Sequence, residues 1–126
     1  MKKLLILLFS ILISFNSYGE WEEIAETYDD DIFYIDFDAV KESDGYVYWW
    51  YLKDVDEPIG GFMSGITYVQ GDCEFPRFKT LSDTFYTEPM GRGEHYSNPI
   101  SNTEWDYYPP GTVGEAMLDY VCDYVD

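Results

Sequence analysis

Basic residues are scarce in this 126-residue chain. Seven lysines and arginines stand against 25 aspartates and glutamates, for a net charge of −18. Such a surface repels phosphate backbones and anionic headgroups, so nucleic acid and direct docking to a membrane are poor partners. Histidine is rarer still. The single one, His95, lies in a Gly-Arg-Gly-Glu-His-Tyr stretch. No Gly-x-Ser-x-Gly turn accompanies it, and we read it as a solvated loop residue. The aspartates at 29–31 and the group Asp54, Asp56 and Glu57 lack the Asp-x-Asp-x-Asp-Gly frame of a calcium loop. Zinc spacing and a Cys-x-x-Cys-His haem motif are also absent. The sequence therefore implies neither a metal nor a cofactor. No apolar run reaches the ~20 residues that a membrane helix needs.

What is present at the N-terminus has a different reading. Lys2-Lys3 precedes Leu4 to Phe15, an apolar run broken only by Ser10 and Ser14. Asn16, Ser17, Tyr18 and Gly19 follow, which makes a secretory signal with cleavage expected after Gly19. The expected organisation is residues 1–19 as signal peptide and 20–126 as one small domain with a single modest core. No cysteine lies at or near the cut, so a lipid anchor has no acceptor. The product is expected to be exported, periplasmic or extracellular, without stable membrane insertion. Two basic residues leave with the signal and no acidic ones, which takes the net charge from −18 to −20.

Aromatic residues make up 20% of the chain, far more than acidic disordered segments carry. Trp21 to Thr27 reads as a first strand and Ile32 to Phe37 as a second, joined by the turn Tyr28 to Asp31. Phe37 to Asp44 holds one helical turn. Tyr46 to Leu52 is the strongest strand signal, with Tyr48, Trp50 and Leu52 on one face and Val47, Trp49 and Tyr51 on the other. Asp54 to Gly61 breaks the pattern and is expected to be an acidic loop. Phe62 to Gln70 is a fourth strand. Phe75 to Tyr86 is a fifth, with Phe78, Thr80 and Ser82 alternating against Lys79, Leu81 and Asp83. Residues 87–111 are loop-like, with one short strand at Glu94 to Ser97.

The end is helical. Thr112 and Glu115 form a capping box, and Val113, Met117, Tyr120 and Tyr124 recur at helical spacing beside Ala116 and Val121. Asp119 and Asp123 are like charges near the negative end of the helix dipole, which weakens a helix this short. The chain has only two cysteines, Cys73 and Cys122. In an exported protein they have a single possible pairing, which staples this helix to the middle of the chain. A 49-residue closure contributes about 4 kcal/mol in the chain-entropy view.

Several stretches together resemble the surface-adhesin protein E family of small exported bacterial proteins. They are Tyr34-Ile35-Asp36, Trp50, Asp54 with Pro58, Asp72-Cys73, Arg77, Leu81 and Pro89-Met90-Gly91 with Gly93. Pro109-Pro110-Gly111-Thr112-Val113, running through Glu115-Ala116 to Val121-Cys122, completes them. The resemblance implies an α+β fold: a single antiparallel β-sheet of about five or six strands, a C-terminal helix packed on one face, and one disulfide. It also implies a non-enzymatic, adhesin-like binding module of the cell envelope, with a protein or glycoprotein partner and a homodimer as a further assembly. The missing lipid-acceptor cysteine and the strong acidity depart from the family pattern. Two other readings differ in class: a periplasmic enzyme or enzyme inhibitor using acidic loops near His95, and a structural envelope protein without a ligand.

Tyr48, Trp49, Trp50 and Tyr51 are the candidate binding face, because successive rings on a strand cannot all enter one core. The exported product is expected to begin at Glu20 and to contain no free thiol. N-terminal sequencing, with intact mass before and after alkylation of the unreduced protein, checks both.

Overall fold

The structure, a computed structural model, describes residues 20–100 and 104–126. The expected signal segment lies outside them. Eight strands form one antiparallel sheet among the described residues, and a helix follows. The strands are β1 (Trp21–Glu26), β2 (Ile32–Asp36), β3 (Lys41–Ser43), β4 (Tyr46–Ile59), β5 (Phe62–Asp72), β6 (Arg77–Glu88), β7 (Arg92–Asn98) and β8 (Asp106–Tyr107), and the helix is α1 (Val113–Val125). The main path is a meander, β1-β2-β4-β5-β6-β7, with β3 paired to β4 and β8 to β6. The expected five or six strands thus describe the main path, and two short strands lengthen its edges.

The short strands have local causes. The Asp36 carboxylate accepts the Asp38 amide at 3.2 Å and starts a 3-10 turn over Phe37–Ala39. The chain then rejoins β4 as β3, so β2 pairs with Tyr51–Asp54 and β3 with Tyr46–Tyr48. The acidic loop expected at Asp54 to Gly61 is instead mostly strand, since β4 runs on to Ile59. Gly60 and Gly61 both have positive φ, at +59° and +86°, and join Ile59 directly to Phe62. Two adjacent left-handed residues are what a tight hairpin needs. The carboxylates of Asp56 and Glu57 simply stay in water.

On β6 the expected alternation breaks. Tyr68 pairs with Ser82, but Val69 pairs with Thr80, leaving Leu81 as an extra residue. This bulge puts Asp83 on the same face as Phe78 and Thr80, where simple alternation places it opposite them.

Thr112 accepts the Glu115 amide at 3.2 Å, as a helix N-cap should. The Glu115 carboxylate accepts the Gly111 amide at 3.1 Å, because the Thr112 amide already serves the Pro109 carbonyl. Met117, Leu118 and Val121 are the buried residues of α1, whereas Tyr120 and Tyr124 are exposed. The stripe expected through the two tyrosines is therefore rotated. Val121 joins Ile35, Val47, Trp49 and Val69 in the core. Each such side chain contributes about 1.5–3 kcal/mol on burial. Among the described residues the buried Trp49 indole N–H meets no acceptor, and such a group costs about 1–3 kcal/mol. Gly71 lets the helix come close, since a Cβ there would lie 2.7 Å from both Leu118 and Trp49.

Cys73 and Cys122 are bonded, with Cα atoms 5.9 Å apart. The turn carrying Cys73 is braced by Asp72, which is 6% exposed. Its carboxylate accepts the Glu74 amide at 3.0 Å, the Phe75 amide at 3.3 Å and Arg77 Nε at 3.0 Å. Burial pushes its pKa up, but the Phe75 amide, Arg77 and the Glu74 amide together outweigh that and hold it below the usual value. The ionised form therefore stabilises the fold above roughly pH 4, and this contribution is lost as pH falls through the lowered folded pKa. Asp72→Asn should cost about 1–3 kcal/mol at neutral pH. Urea unfolding as a function of pH should show the two proteins converging in acid.

Candidate functional site

Because side chains on a strand alternate, β4 sends Tyr46, Tyr48, Trp50 and Leu52 to the face that α1 does not cover. Their partners on β5 are Gln70 opposite Tyr48, Tyr68 opposite Trp50 and Ile66 opposite Leu52. Lys41 lies opposite Tyr48 on β3, and Lys79 lies opposite Gln70 on β6.

One end of this open face is closed by the 3-10 turn Pro89–Gly91. The Met90 amide donates to Asp54 Oδ1 at 2.8 Å, and the Gly91 amide donates to Ser64 Oγ at 2.9 Å. Ser64 in turn donates to the Glu88 carbonyl at 2.7 Å. Gly91 sits so close to Ile66 that a Cβ would approach its Cδ1 to 2.8 Å, and Leu52 beneath is fully buried. Trp105 covers the other end. Its ring lies 5.3 Å from Tyr46, 4.3 Å from the Arg77 guanidinium and 4.6 Å from Lys79 Nζ. Cation–π pairs of this kind contribute about 0.5–2 kcal/mol each.

Between these covers runs a half-buried ring platform. Trp50 stacks on Tyr68 at 4.4 Å, and Tyr48 stacks on the same ring at 6.2 Å. Gln70 Nε2 donates to the Tyr48 hydroxyl at 3.1 Å, and Lys41 lies 5.9 Å from the Tyr48 ring. Beyond residue 19 the chain has five basic side chains, Lys41, Lys53, Arg77, Lys79 and Arg92. Three of the five stand against the rings of this one face. A protein of charge −18 thus keeps one aromatic surface with cations at its border.

Of the four ring residues named from the sequence, Tyr48 and Trp50 lie on this platform. Trp49 does not, because it is fully buried beneath α1. Tyr51 also points to the helix side, where burial raises its phenol pKa despite the neighbouring Thr67 hydroxyl, and Asp83 adds to the rise. Sequence reasoning missed Tyr68, Lys41, Arg77, Lys79 and Trp105. Their gathering depends on register, and alternation along a single strand carries no register. His95 is exposed on β7 opposite Tyr86, with ring centroids 6.0 Å apart. The acidic groups weighed as metal ligands have other duties. Asp31 accepts the Asp56 amide at 3.3 Å and lies 3.7 Å from Lys53 Nζ, and Asp54 holds the Met90 amide. Among the described residues no three metal-ligating side chains gather, and no helix is long and apolar enough to cross a membrane.

Comparison with known proteins gives a consistent outcome. The family model described as surface-adhesin protein E matches residues 21–123. Crystal form II of Haemophilus influenzae protein E superposes with a TM-score of 0.66 at 16% identity, covering 84% of this chain and 90% of that one. The selenomethionine form of the same protein gives 0.65 at 15% identity, covering 80% and 85%. Protein E from non-typeable Haemophilus influenzae gives 0.55 at 16% identity, covering 83% and 85%. At such identities these structures share the fold. No curated protein sequence matches the chain.

Acrylamide quenching of single-tryptophan variants tests the assignment of faces. Trp50 fluorescence should be quenched readily, and Trp49 fluorescence should be nearly insensitive until the protein unfolds.

Proposed function

The chain belongs to the surface-adhesin protein E family, and from that premise we propose that it is an exported, non-enzymatic binding module of the bacterial envelope. Its open sheet face is the docking surface, and its partner is a protein or glycoprotein. The observation that carries this reading is the Trp50–Tyr68–Tyr48 stack flanked by Lys41, Arg77 and Lys79.

Aromatic and arginine side chains dominate the energetics of interfaces because they bring large contact area with few rotors to freeze. Here the rings are already stacked, so little ordering remains to be done on binding. The lysines at the rim suit a partner that is neutral or acidic at its contact, the Arg77 charge being already met by Asp72. They also offset the repulsion that the rest of this acidic surface exerts on such a partner. A second copy of the chain is the other protein occupant that the same surface accommodates.

The reading centred on His95 as an acid–base residue gains nothing from the geometry. His95 stands on an exposed edge strand, its ring against Tyr86. Export is consistent with the disulfide, since thiols in reducing compartments do not stay paired.

In the mature disulfide-intact protein, Trp50→Ser with Tyr68→Ser should weaken capture by immobilised matrix glycoproteins at least about tenfold. Lys79→Glu should weaken it less and make it less sensitive to salt. Thermal unfolding of each variant separates loss of the surface from loss of the fold. Light scattering reports whether the same substitutions dissociate a dimer. Unchanged capture together with unchanged mass in the double variant removes the open face from consideration.

A further inference from the structure

The helix fills only part of its own face. Farther along the strands from Trp49 and Val69, on which the helix packs, two rows of side chains cross the sheet. One row is Ile35, Tyr51, Thr67, Asp83 and Asn98, and the next is Phe33, Lys53, Gly65, Phe85 and Tyr96. Gly65 leaves a gap in the second row. A cleft of about 460 Å³ opens there, walled by Tyr51, Val55, Phe62, Phe85 and Tyr96, with Thr67 and Asp83 at one side. This volume lies within the usual range for small-ligand sites.

The charges in the cleft are arranged in a particular way. Lys53 reaches the lining but is drawn aside, with its Nζ 3.7 Å from Asp31 Oδ2 and 5.5 Å from the Phe33 ring. Asp83 is turned inward by the bulge at Leu81. Its Oδ1 accepts the Thr67 hydroxyl at 3.0 Å, and among the described residues it forms no ion pair. On the rim, Ile59 and Tyr96 remain 63% and 58% exposed, apolar surface that the fold itself leaves in water. An acidic carboxylate beside aromatic walls suits neither an anion nor a purely apolar guest.

We propose that this cleft binds an organic cation, a primary or quaternary ammonium on a short apolar body. The ammonium sits against Asp83 and the ring faces, and the apolar body lies over Gly65 between Phe62 and Phe85. Three further facts support it. Ring faces attract ammonium groups most strongly where water is excluded. The chain's charge of −18 concentrates cations at its surface. Burial also raises the Asp83 pKa, so its charge costs stability in the empty protein, even though the Thr67 hydrogen bond pulls the other way. A bound cation relieves that cost. The bulge that re-aims Asp83 is a device that sheets commonly use beside functional sites. This proposal is independent of the open face and stands or falls separately from it.

Such an ammonium could come from a free amine or from a lysine side chain of a partner. Titration of the mature, disulfide-intact protein followed by two-dimensional amide NMR distinguishes them, with n-butylammonium, tetramethylammonium and a short lysine-containing peptide as probes. Pentanol and butyrate serve as neutral and anionic controls. Saturable shifts at Tyr51, Gly65, Asp83 and Phe85 with the cations, and none with the controls, are expected. Saturation by the small amines points to a free ligand, and saturation by the peptide alone points to a partner side chain. Asp83→Asn keeps the shape and should weaken binding at least about tenfold. Its melting temperature should equal or exceed the parent's. Gly65→Val suits an extended backbone and fills the gap, since even a Cβ there meets only ordinary contacts, the nearest being Phe85 Cδ1 at 3.5 Å. It should abolish binding, while the Trp50→Ser variant should bind normally. No saturable shift with any cation, equal binding of pentanol, or full affinity in Asp83→Asn overturns the proposal.

Discussion

The bond between Cys73 and Cys122 sets where α1 can lie. It ties the second half of a thirteen-residue helix to the turn at the end of β5. That turn is itself rigid, because Asp72 gathers two backbone amides and Arg77 around one buried carboxylate. The helix then descends until Leu118 and Trp49 meet the bare backbone of Gly71. At the other end, Gly114 leaves room for the ring of Tyr108, which lies flat on Phe78 at 3.7 Å. A helix with aspartates near its C-terminus would fray if left alone. Held at both ends, it becomes the lid of the core.

Consequences for binding follow from that placement. A helix seated over Val47, Trp49 and Val69 closes one half of one face and leaves the opposite face to loops. Those loops cover it incompletely. The Pro89–Gly91 turn seals Leu52 and Ile66, and Trp105 seals Tyr46, so the rings between them stay accessible. The same seating leaves the far half of the helix face unfilled, and Gly65 deepens that space into the cleft beside Asp83. Two surfaces of different chemistry therefore arise from one packing decision, an aromatic platform edged with cations and an aromatic cleft holding one carboxylate. The acidity of the rest of the molecule bears oppositely on the two, repelling acidic partners of the first and attracting cationic guests of the second.

Much of this was legible beforehand because it is local. Period-two runs marked β1, β2, β5 and the first half of β4. Thr112 and Glu115 marked the helix start. Two cysteines in a chain expected to be exported left one pairing. The readings that failed did so for non-local reasons. Asp54 to Ile59 is polar enough to pass for a loop, but β4 runs on through it, leaving the β5 register after Asp54 and regaining it at Ile59, beside the Gly60-Gly61 turn. The bulge at Leu81 reverses the facing of every later residue on β6, and nothing in the run from Phe75 to Tyr86 announces it. β3 and β8 are too short for any periodicity and exist because β4 and β6 offer unpaired edges. Tyr120 and Tyr124 match the helical period as well as Leu118 does, and only the way α1 seats on the sheet core decides which of them is buried.

By itself, then, the order of residues determined the succession of most strands, the closing helix and the covalent link. These depend on neighbours within a few positions or on a pairing without alternatives. The tertiary structure alone decided which rings share a face, where the scarce cations gather and which way Asp83 points. Those outcomes depend on register between strands and on the rotation of one helix, and both are set by contacts between residues that are distant in the chain.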